Sequence, residues 1–246
     1  MNETIKVLKN HKTIRKYKNK DISRKKIETI VRAGQQAPFV SQLYSLLYTK
    51  KGKIPFEANI YFIICVDFYK MKKIMEERNW EPVTNDLSIL IFGIQDAAYM
   101  AQNMVVAAES MKLGTCFLGG VPYQAAKIKE KFDLPDKVFP LVGLVMGYPD
   151  ENPPVRPRYQ IEFTLFHDKY SISNKTIKEA KNIMDKGYLE ENYYEKLDAK
   201  IPLKNKEETF DYDNYSWTEH ISRKWGQWYS NKDSILKNLK ECGFDI

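Results

Sequence analysis

The 246-residue chain has a hydrophobic fraction of 43%, which is enough to bury a sizeable core and excludes wholesale disorder. Its formal charge is +7, but the basic excess is nearly all Lys with many acids between, which favours a solvated surface over a nucleic-acid-binding face. The three cysteines are far apart in the sequence, so they predict neither a disulfide framework nor a metal site and fit a reducing cytoplasm.

Two capped helices are predicted first. Residues 3–9 form a short helix with Asn2 as its N-cap, and Ser23 caps a second helix that ends before Pro38. Strands are predicted next at 45–49, 59–66, 115–118 and 138–146, and helices at 87–112 and 123–133. A short helical piece, KMKKIMEE, is predicted before the helix at 87–112. The apolar strands barely alternate, so both sheet faces are buried, and the order of elements predicts a three-layer α+β or α/β core.

The helix predicted at 87–112 is apolar or small almost all round, which is typical of a helix buried on more than one side. Its Ala-rich surface also suits close packing against another helix at a dimer axis. Polar residues interrupt it at Gln95, Asp96, Gln102 and Asn103, so no segment reaches the roughly 20 apolar residues of a membrane span. The N-terminus has no apolar signal core, and we expect a cytoplasmic protein with no membrane partner.

The composition changes at about residue 165, after which the chain is rich in Lys, Glu and Tyr. Helices are predicted near 175–186, 189–197, 216–226 and 231–241. They are short and polar, so they are poor candidates for an independent domain. We therefore predict a core at 1–165 and a helical extension at 166–246 that wraps over the core or over a partner subunit.

The first candidate site is the stretch HKTIRKY at residues 11–17, which places cationic side chains and a hydroxyl close together. In a turn, His11, Thr13 and Arg15 converge on one point; in an extended segment, Lys12 or Thr13 alternates with Arg15. An arginine provides a planar fork that matches phosphate oxygens. The alternative is an exposed basic loop.

Two further stretches could bind a flat ring. The predicted strand TCFL ends in Gly119 and Gly120, where the missing side chains let a planar ligand approach the backbone. The loop PFVSQLYS at 38–45 offers small and amide side chains to the edge of a heterocycle. The alternatives are a plain turn and a loop that enters a strand.

Arg156 and Arg158 lie in a proline-stiffened loop. Residues two apart face the same way in an extended segment, so the pair could bind one anion, whereas the alternative is two solvated arginines. The sequence contains no H-E-x-x-H motif, no Cys/His cluster and no G-x-S-x-G motif. It therefore predicts no protein metal site and no hydrolase nucleophile.

Three of these stretches together resemble the nitroreductase family, closest to its NADPH-preferring, oxygen-insensitive branch and the related flavin reductases. HKTIRKY is similar to the family's H-R-S-I-R-x-F opening, and IQDAAYMAQNMVVAAESMKLGTCFLGG is similar to its central helix and Gly-Gly segment. PLVGLVMGYPDENPPVRPR is similar to its proline-rich stretch ending in P-R. The order and spacing agree over roughly residues 4–170, which is more specific than any single motif.

The resemblance implies an α+β fold with a three-layer core, a mixed sheet flanked by helices, and an intertwined homodimer with one FMN at each of two subunit interfaces. The opening motif and the arginine pair would bind the FMN phosphate, and the Gly-Gly segment would lie beside the flavin ring. The Phe39–Gln42 loop would come from the other subunit, with Ser41 or Gln42 meeting the flavin. The implied cofactor-binding residues are His11, Lys12, Thr13, Arg15, Phe39, Ser41, Gln42, Phe117, Leu118, Gly119, Gly120, Arg156 and Arg158.

The resemblance also implies an NAD(P)H-dependent FMN oxidoreductase, with NADPH or NADH as co-substrate. Hydride would pass through flavin N5 to a small acceptor such as a nitroaromatic, a quinone or a flavin by a ping-pong mechanism. No side chain is predicted to be catalytic, because the flavin carries the chemistry. The alternative is a non-enzymatic FMN-binding redox sensor or electron carrier. A nucleic-acid-binding protein is a third hypothesis, but no interleaved aromatic and basic pattern favours it.

Overall fold

The computed structural model describes residues 1–204, 206–227 and 234–246. The described residues form two compact units, one of residues 1–153 with 234–246 and one of residues 154–227. The first unit thus ends at residue 153, before the predicted boundary at 165. It also includes the C-terminal helix, which the sequence-based division assigned to the extension. The wrapping of the extension over the core or a partner stays a prediction.

Four strands and nine α-helices are present in the described ranges. In chain order they are α1 (Glu3–Lys9), α2 (Arg24–Gln35), β1 (Tyr44–Thr49), β2 (Ile60–Asp67), α3 (Tyr69–Glu77), α4 (Asp86–Ser110), β3 (Gly114–Leu118), α5 (Ala125–Phe132), β4 (Val138–Gly147), α6 (Asn174–Glu190), α7 (Tyr193–Lys196), α8 (Trp217–Gln227) and α9 (Ser234–Glu241). Short 3-10 helices lie at Pro55–Glu57, Val121–Gln124 and Ile161–Phe163.

Side-chain caps set the helix starts. The side chains of Asn2 and Ser23 accept hydrogen bonds from backbone N–H groups three residues on, which confirms both predicted caps, and Asn85 does the same for α4. The predicted break between 186 and 189 is wrong, because α6 continues through Gly187. A Cβ at Gly187 would lie 2.5 Å from Pro157 Cγ, so the glycine permits close approach to the arginine loop. The first residues of the helix predicted at 231–241 lie outside the described residues.

The sheet has the order β1-β2-β4-β3, and every pair of neighbouring strands is antiparallel. The expectation of a mixed sheet is therefore wrong for these strands, and within the described residues parallel pairing is limited to one bridge between Thr13 and Thr115. Alternation of strand and helix along a sequence does not fix strand direction. Here β4 returns between β2 and β3 and runs antiparallel to both.

Helices cover both faces of the sheet, which confirms the α+β fold with a three-layer core. On one face, Phe62 and Ile64 of β2 pack against Met100 and Met104 of α4 and against α2. On the other face, Ile63 and its neighbours pack against the 3-10 helix at Val121–Gln124 and against α5. Helix α9 closes one end, where the Asn238 Oδ1 accepts a hydrogen bond from Ala126 N at 2.8 Å.

Helix α4 is the long central helix of this unit. By length and composition it is apolar enough to cross a membrane, contrary to the expectation that its polar residues exclude this. Half of that apolar window is buried inside the protein, against the sheet and α2, as in the core helix of a soluble protein. Helix α4 contacts both the sheet and α2, while Leu87, Ile91 and Phe92 are exposed in the single chain.

The second unit has its own aromatic core. Met184, Tyr188, Tyr194 and Tyr215 form its buried centre, with Trp217 packed against them. Arg223 of α8 is buried at the edge of this cluster and forms ion pairs with Glu208 and with Glu219. Tyr188, Tyr194 and Tyr215 are thus packing residues.

Candidate functional site

The opening motif lies alongside the start of β3. Ile14 N donates a hydrogen bond to Thr115 O at 2.9 Å, and Thr13 pairs with Thr115 in the parallel bridge. The Ile14 side chain is buried against Gly114, where an added Cβ would lie 2.5 Å from Ile14 Cγ1. Because side chains alternate in an extended segment, Thr13 and Arg15 face the opposite side from Ile14. This is the extended alternative of the two considered for the motif.

Acidic side chains fix this segment in place. His11 Nδ1 lies 2.6 Å from Glu109 Oε1, and the same oxygen accepts a hydrogen bond from Thr115 Oγ1 at 3.2 Å. The Glu151 carboxylate accepts hydrogen bonds from the backbone N–H groups of Arg15 and Lys16. The motif therefore has a defined orientation between β3 and the segment that follows β4.

Two neighbouring contacts complete this support. Lys12 Nζ donates to Asn152 Oδ1 at 2.7 Å. The Tyr17 hydroxyl donates to Ile14 O at 2.6 Å, and burial raises the pKa of Tyr17 well above its ordinary value. Tyr17 therefore acts as a neutral hydrogen-bond donor. Among the charged side chains of the motif, Lys16 is exposed, whereas Lys12 and Arg15 are half-buried.

The Gly-Gly segment leaves open space at the far end of the same strand. A Cβ built on Gly119 or on Gly120 would meet no heavy atom within 4 Å. Phe117 is 40% exposed, and β3 is the last strand in the sheet order. Since a strand rises about 3.3 Å per residue, Gly119 lies roughly 13 Å along the chain from Thr115. The cationic segment and the open backbone thus lie along one sheet edge.

The 38–45 loop exposes two large apolar side chains. Phe39 and Val40 are each 53% exposed, and Gln42 has a left-handed backbone with a φ of 55°. Backbone N–H groups on both sides of Gln42 donate to the carboxylate of Asp96. The loop is therefore held by its backbone while the side chains of Phe39 and Val40 project outward.

Arg156 and Arg158 lie together in the second unit, around Tyr188. The Arg156 guanidinium lies 4.8 Å from the centre of the Tyr193 ring. Burial raises the pKa of Tyr188, and both guanidinium groups are close enough to oppose that rise. The arginine pair thus lies within the second unit, whereas the opening motif and the Gly-Gly segment lie within the first. The convergence of both groups on one anion stays a prediction.

The sequence-based interpretation missed the carboxylates that support these motifs. Asp96, Glu109 and Glu151 all contact the backbone or side chains of predicted site residues. Asp96 and Glu109 carried a usable signal, because each is an acidic residue within a largely apolar helix. Across the described ranges, no group of three or more His, Cys, Asp or Glu side chains is placed to hold a metal ion.

Comparisons with known proteins identify relatives of this chain. The model of the nitroreductase family matches residues 47–148. An "FMN reductase (NADPH)" of Bacillus subtilis (strain 168) is 28% identical over 217 residues, covering 81% of this chain and 87% of the relative. A "CR(VI) reductase" of Pseudomonas sp. (strain G-1) is 33% identical over 181 residues, covering 67% of this chain and 74% of the relative.

The fold is likewise found among solved structures. That of Bacillus megaterium NfrA2 superposes with a TM-score of 0.84 at 24% identity, covering 100% of this chain and 99% of that one. The relative at 33% identity, of which this chain covers 74%, carries the assignment. The chain belongs to the nitroreductase family.

Proposed function

We propose that the protein is an FMN-dependent oxidoreductase that uses NADPH or NADH to reduce a small electron acceptor in the cytoplasm. The observation that carries this proposal is the placement of the Thr13 and Arg15 segment along β3, the strand that ends at open space beside Gly119 and Gly120. The printed names of the two relatives, an FMN reductase (NADPH) and a Cr(VI) reductase, support it.

The residues present fit FMN by charge and by shape. The phosphate carries up to two negative charges, which suit the cations of the opening motif. The flavin ring suits the space next to the Gly-Gly backbone, since no side chain fills it. The proposed phosphate and ribityl contacts are His11, Lys12, Thr13, Arg15, Arg156 and Arg158. The proposed ring contacts are Phe117, Leu118, Gly119 and Gly120, with Phe39, Ser41 and Gln42 from the partner subunit.

FMN, when bound, supplies the redox chemistry by accepting hydride from the reduced nicotinamide and passing electrons to the acceptor in a second half-reaction. The chain's contribution is binding and orientation. Glu109 and Glu151 orient the opening motif, and backbone N–H groups at the end of β3 can donate to a ring heteroatom. The exposed Phe117 side chain would limit water beside the ring. No side-chain acid or base is required.

The activity test is steady-state oxidation of NADPH and of NADH by the FMN-loaded protein with a nitroaromatic, a quinone and free flavin as acceptors. We expect parallel lines in double-reciprocal plots, the signature of a ping-pong mechanism. A protein that binds FMN but oxidises neither nucleotide with any acceptor would instead be a redox sensor or electron carrier.

Filling the space beside the Gly-Gly backbone is expected to block the ring. Gly119→Val adds a side chain where no heavy atom lies within 4 Å, so the melting temperature should not change. FMN affinity and riboflavin affinity should both fall by about tenfold, because a well-placed steric conflict removes on the order of 1.4 kcal/mol of binding. Equilibrium dialysis with each flavin measures the effect. Gly226→Val, at another glycine with open space, is the control that should bind both normally.

We also propose that the protein is a homodimer that associates through the exposed apolar face of α4. Leu87, Ile91 and Tyr99 are all about half exposed, and Phe92 is 42% exposed. Contiguous exposed apolar side chains of this size mark an interaction surface. A second copy would cover this face and would bring its own 38–45 loop to the cofactor.

Phe92→Glu is expected to weaken the dimer about tenfold, because it places a charge in a desolvated contact. Sedimentation velocity over a concentration series measures the shift, and flavin should be lost in parallel. Leu236→Glu on α9 replaces another exposed apolar residue and should leave the dimer unchanged. A wild-type protein that stays monomeric at all concentrations would refute the homodimer.

A further inference from the structure

A single carboxylate holds the 38–45 loop from the inside. Asp96 of α4 is 0% exposed. Its Oδ1 accepts a hydrogen bond from Val40 N at 2.7 Å, and its Oδ2 accepts from Ser41 N at 3.0 Å and from Leu43 N at 2.9 Å. Three backbone N–H groups of one short loop thus converge on one side chain that is more than 50 residues away in the sequence.

The buried charge and the loop conformation depend on each other. A carboxylate that is removed from water is strongly destabilised unless hydrogen bonds or a cation replace its hydration. No ion pair to Asp96 occurs in the described part of the chain, so the three N–H donors are its compensation. Burial, together with the negative charge of Asp96, raises the pKa of the neighbouring Tyr44. If the loop left this conformation, both the carboxylate and the N–H groups would lose their partners.

The loop conformation held in this way is an outward-facing one. Gln42 adopts a left-handed backbone, and Tyr44 N donates to Gln42 O at 2.8 Å as the chain enters β1. Phe39 and Val40 stay half exposed although burial would favour both side chains. The hydrogen bonds to Asp96 therefore hold apolar and amide side chains at the surface, where a planar ligand or a second subunit can meet them.

We propose that Asp96 is a positioning residue for the cofactor, because it holds residues 39–43 in the conformation that meets the flavin. This inference rests on the proposed FMN-dependent function. It extends that function by naming a residue that acts on FMN only through the loop. The same helix carries Phe92 and Tyr99 on its exposed face. One helix therefore supports both the dimer surface and the loop that the partner would use.

The test is Asp96→Asn, which keeps the shape of the side chain but replaces one acceptor oxygen with an N–H donor that faces another donor. We expect FMN affinity to fall about tenfold, and riboflavin affinity to fall by the same factor, because the loop acts on the ring and not on the phosphate. The visible circular dichroism of the bound flavin should change. Amide exchange at Val40 and Ser41 should become faster in the flavin-free protein.

The matched control is Asp86→Asn in the first turn of the same helix. Asp86 pairs with Lys137 at 2.5 Å and accepts a hydrogen bond from Asp245 N at 2.6 Å, and it has no contact with the loop. This variant should lose stability but keep the flavin affinity and the circular dichroism of the wild type. Equal losses of flavin affinity in both variants would mean that Asp96 is merely structural, and would overturn the inference.

The remaining outcomes separate this inference from the proposed function. If the wild type binds FMN and Asp96→Asn binds it equally well with an unchanged spectrum, the inference fails and the function stands. If the wild type binds no flavin, the function fails and the role toward FMN fails with it. In that case, amide exchange still decides whether Asp96 holds the loop.

Discussion

Replacing Arg15 with alanine is expected to weaken FMN binding on the order of 100-fold while leaving riboflavin binding unchanged. The difference isolates the phosphate, because riboflavin lacks it. A guanidinium that donates two charge-assisted hydrogen bonds to a phosphate contributes about 3 kcal/mol, which corresponds to that factor. Fluorescence titration of the flavin-free protein with each ligand gives the two affinities.

The geometry of the segment provides the control. Lys16 is the next residue, carries the same charge and is exposed, but it faces the other side of the extended segment. Lys16→Ala should therefore change FMN affinity little. Equal losses of FMN affinity in the two variants would indicate general electrostatic attraction. An unchanged FMN affinity in Arg15→Ala would show that Arg15 does not bind the phosphate.

Replacing Arg223 with methionine is expected to lower the free energy of unfolding by about 3 kcal/mol. The Arg223 side chain is 2% exposed, its two Nη atoms bind both oxygens of Glu208 at 2.7 and 2.8 Å, and its Nε binds Glu219 at 2.7 Å. Methionine fills similar space but leaves both carboxylates without their cation. This loss is near the lower end of the range for breaking a buried ion pair, because both glutamates keep part of their surface in solvent.

Urea unfolding followed by tryptophan fluorescence measures this loss. Arg24→Met is the matched control, because Arg24 and Glu28 form an Arg–Glu pair with the same four-residue spacing as Arg223 and Glu219 but on an exposed surface. An exposed pair of this kind contributes less than about 1 kcal/mol. A similar effect in both variants would show that burial of Arg223 is not important for stability.

The same cluster gives a pH dependence. Hydrogen bonds from Arg223 lower the pKa of Glu208 from 4.5 to about 2. Because this folded-state pKa lies below the unfolded one, the stabilisation is complete above about pH 4.5 and is lost as the pH falls toward 2. Melting temperatures across this window should fall more steeply for the wild type than for Arg223→Met. Parallel curves would contradict the role of Arg223.

Much of the fold follows from local signals in the sequence. Asn2 and Ser23 mark helix starts because their side chains bond to backbone N–H groups three residues away, and the apolar run at 59–66 indicates a buried strand in any sheet. Strand direction depends on which distant strand lies alongside, so the mixed sheet was wrongly expected. Gly187 lies inside helix α6, where an added Cβ would meet Pro157, a residue 30 positions earlier, so this glycine marks a close contact and not a helix end.

In the site, too, local motifs were predictable from the sequence and contacts between distant residues were not. HKTIRKY and the Gly-Gly segment are compact motifs, so composition and resemblance were enough to select them. The residues that hold them were missed because their contacts join distant parts of the chain: Asp96 with Val40, Glu109 with His11, and Glu151 with Arg15. An acidic residue inside an apolar helix indicates such a contact, but the sequence does not say which loop it meets.

The visible spectrum of the purified protein, recorded after incubation with FMN and removal of the excess, shows whether this chain binds FMN for redox chemistry. We expect a yellow protein with one FMN per chain, whose colour is bleached by NADPH or NADH and restored by a small acceptor. A colourless protein that retains no FMN would contradict the proposed function.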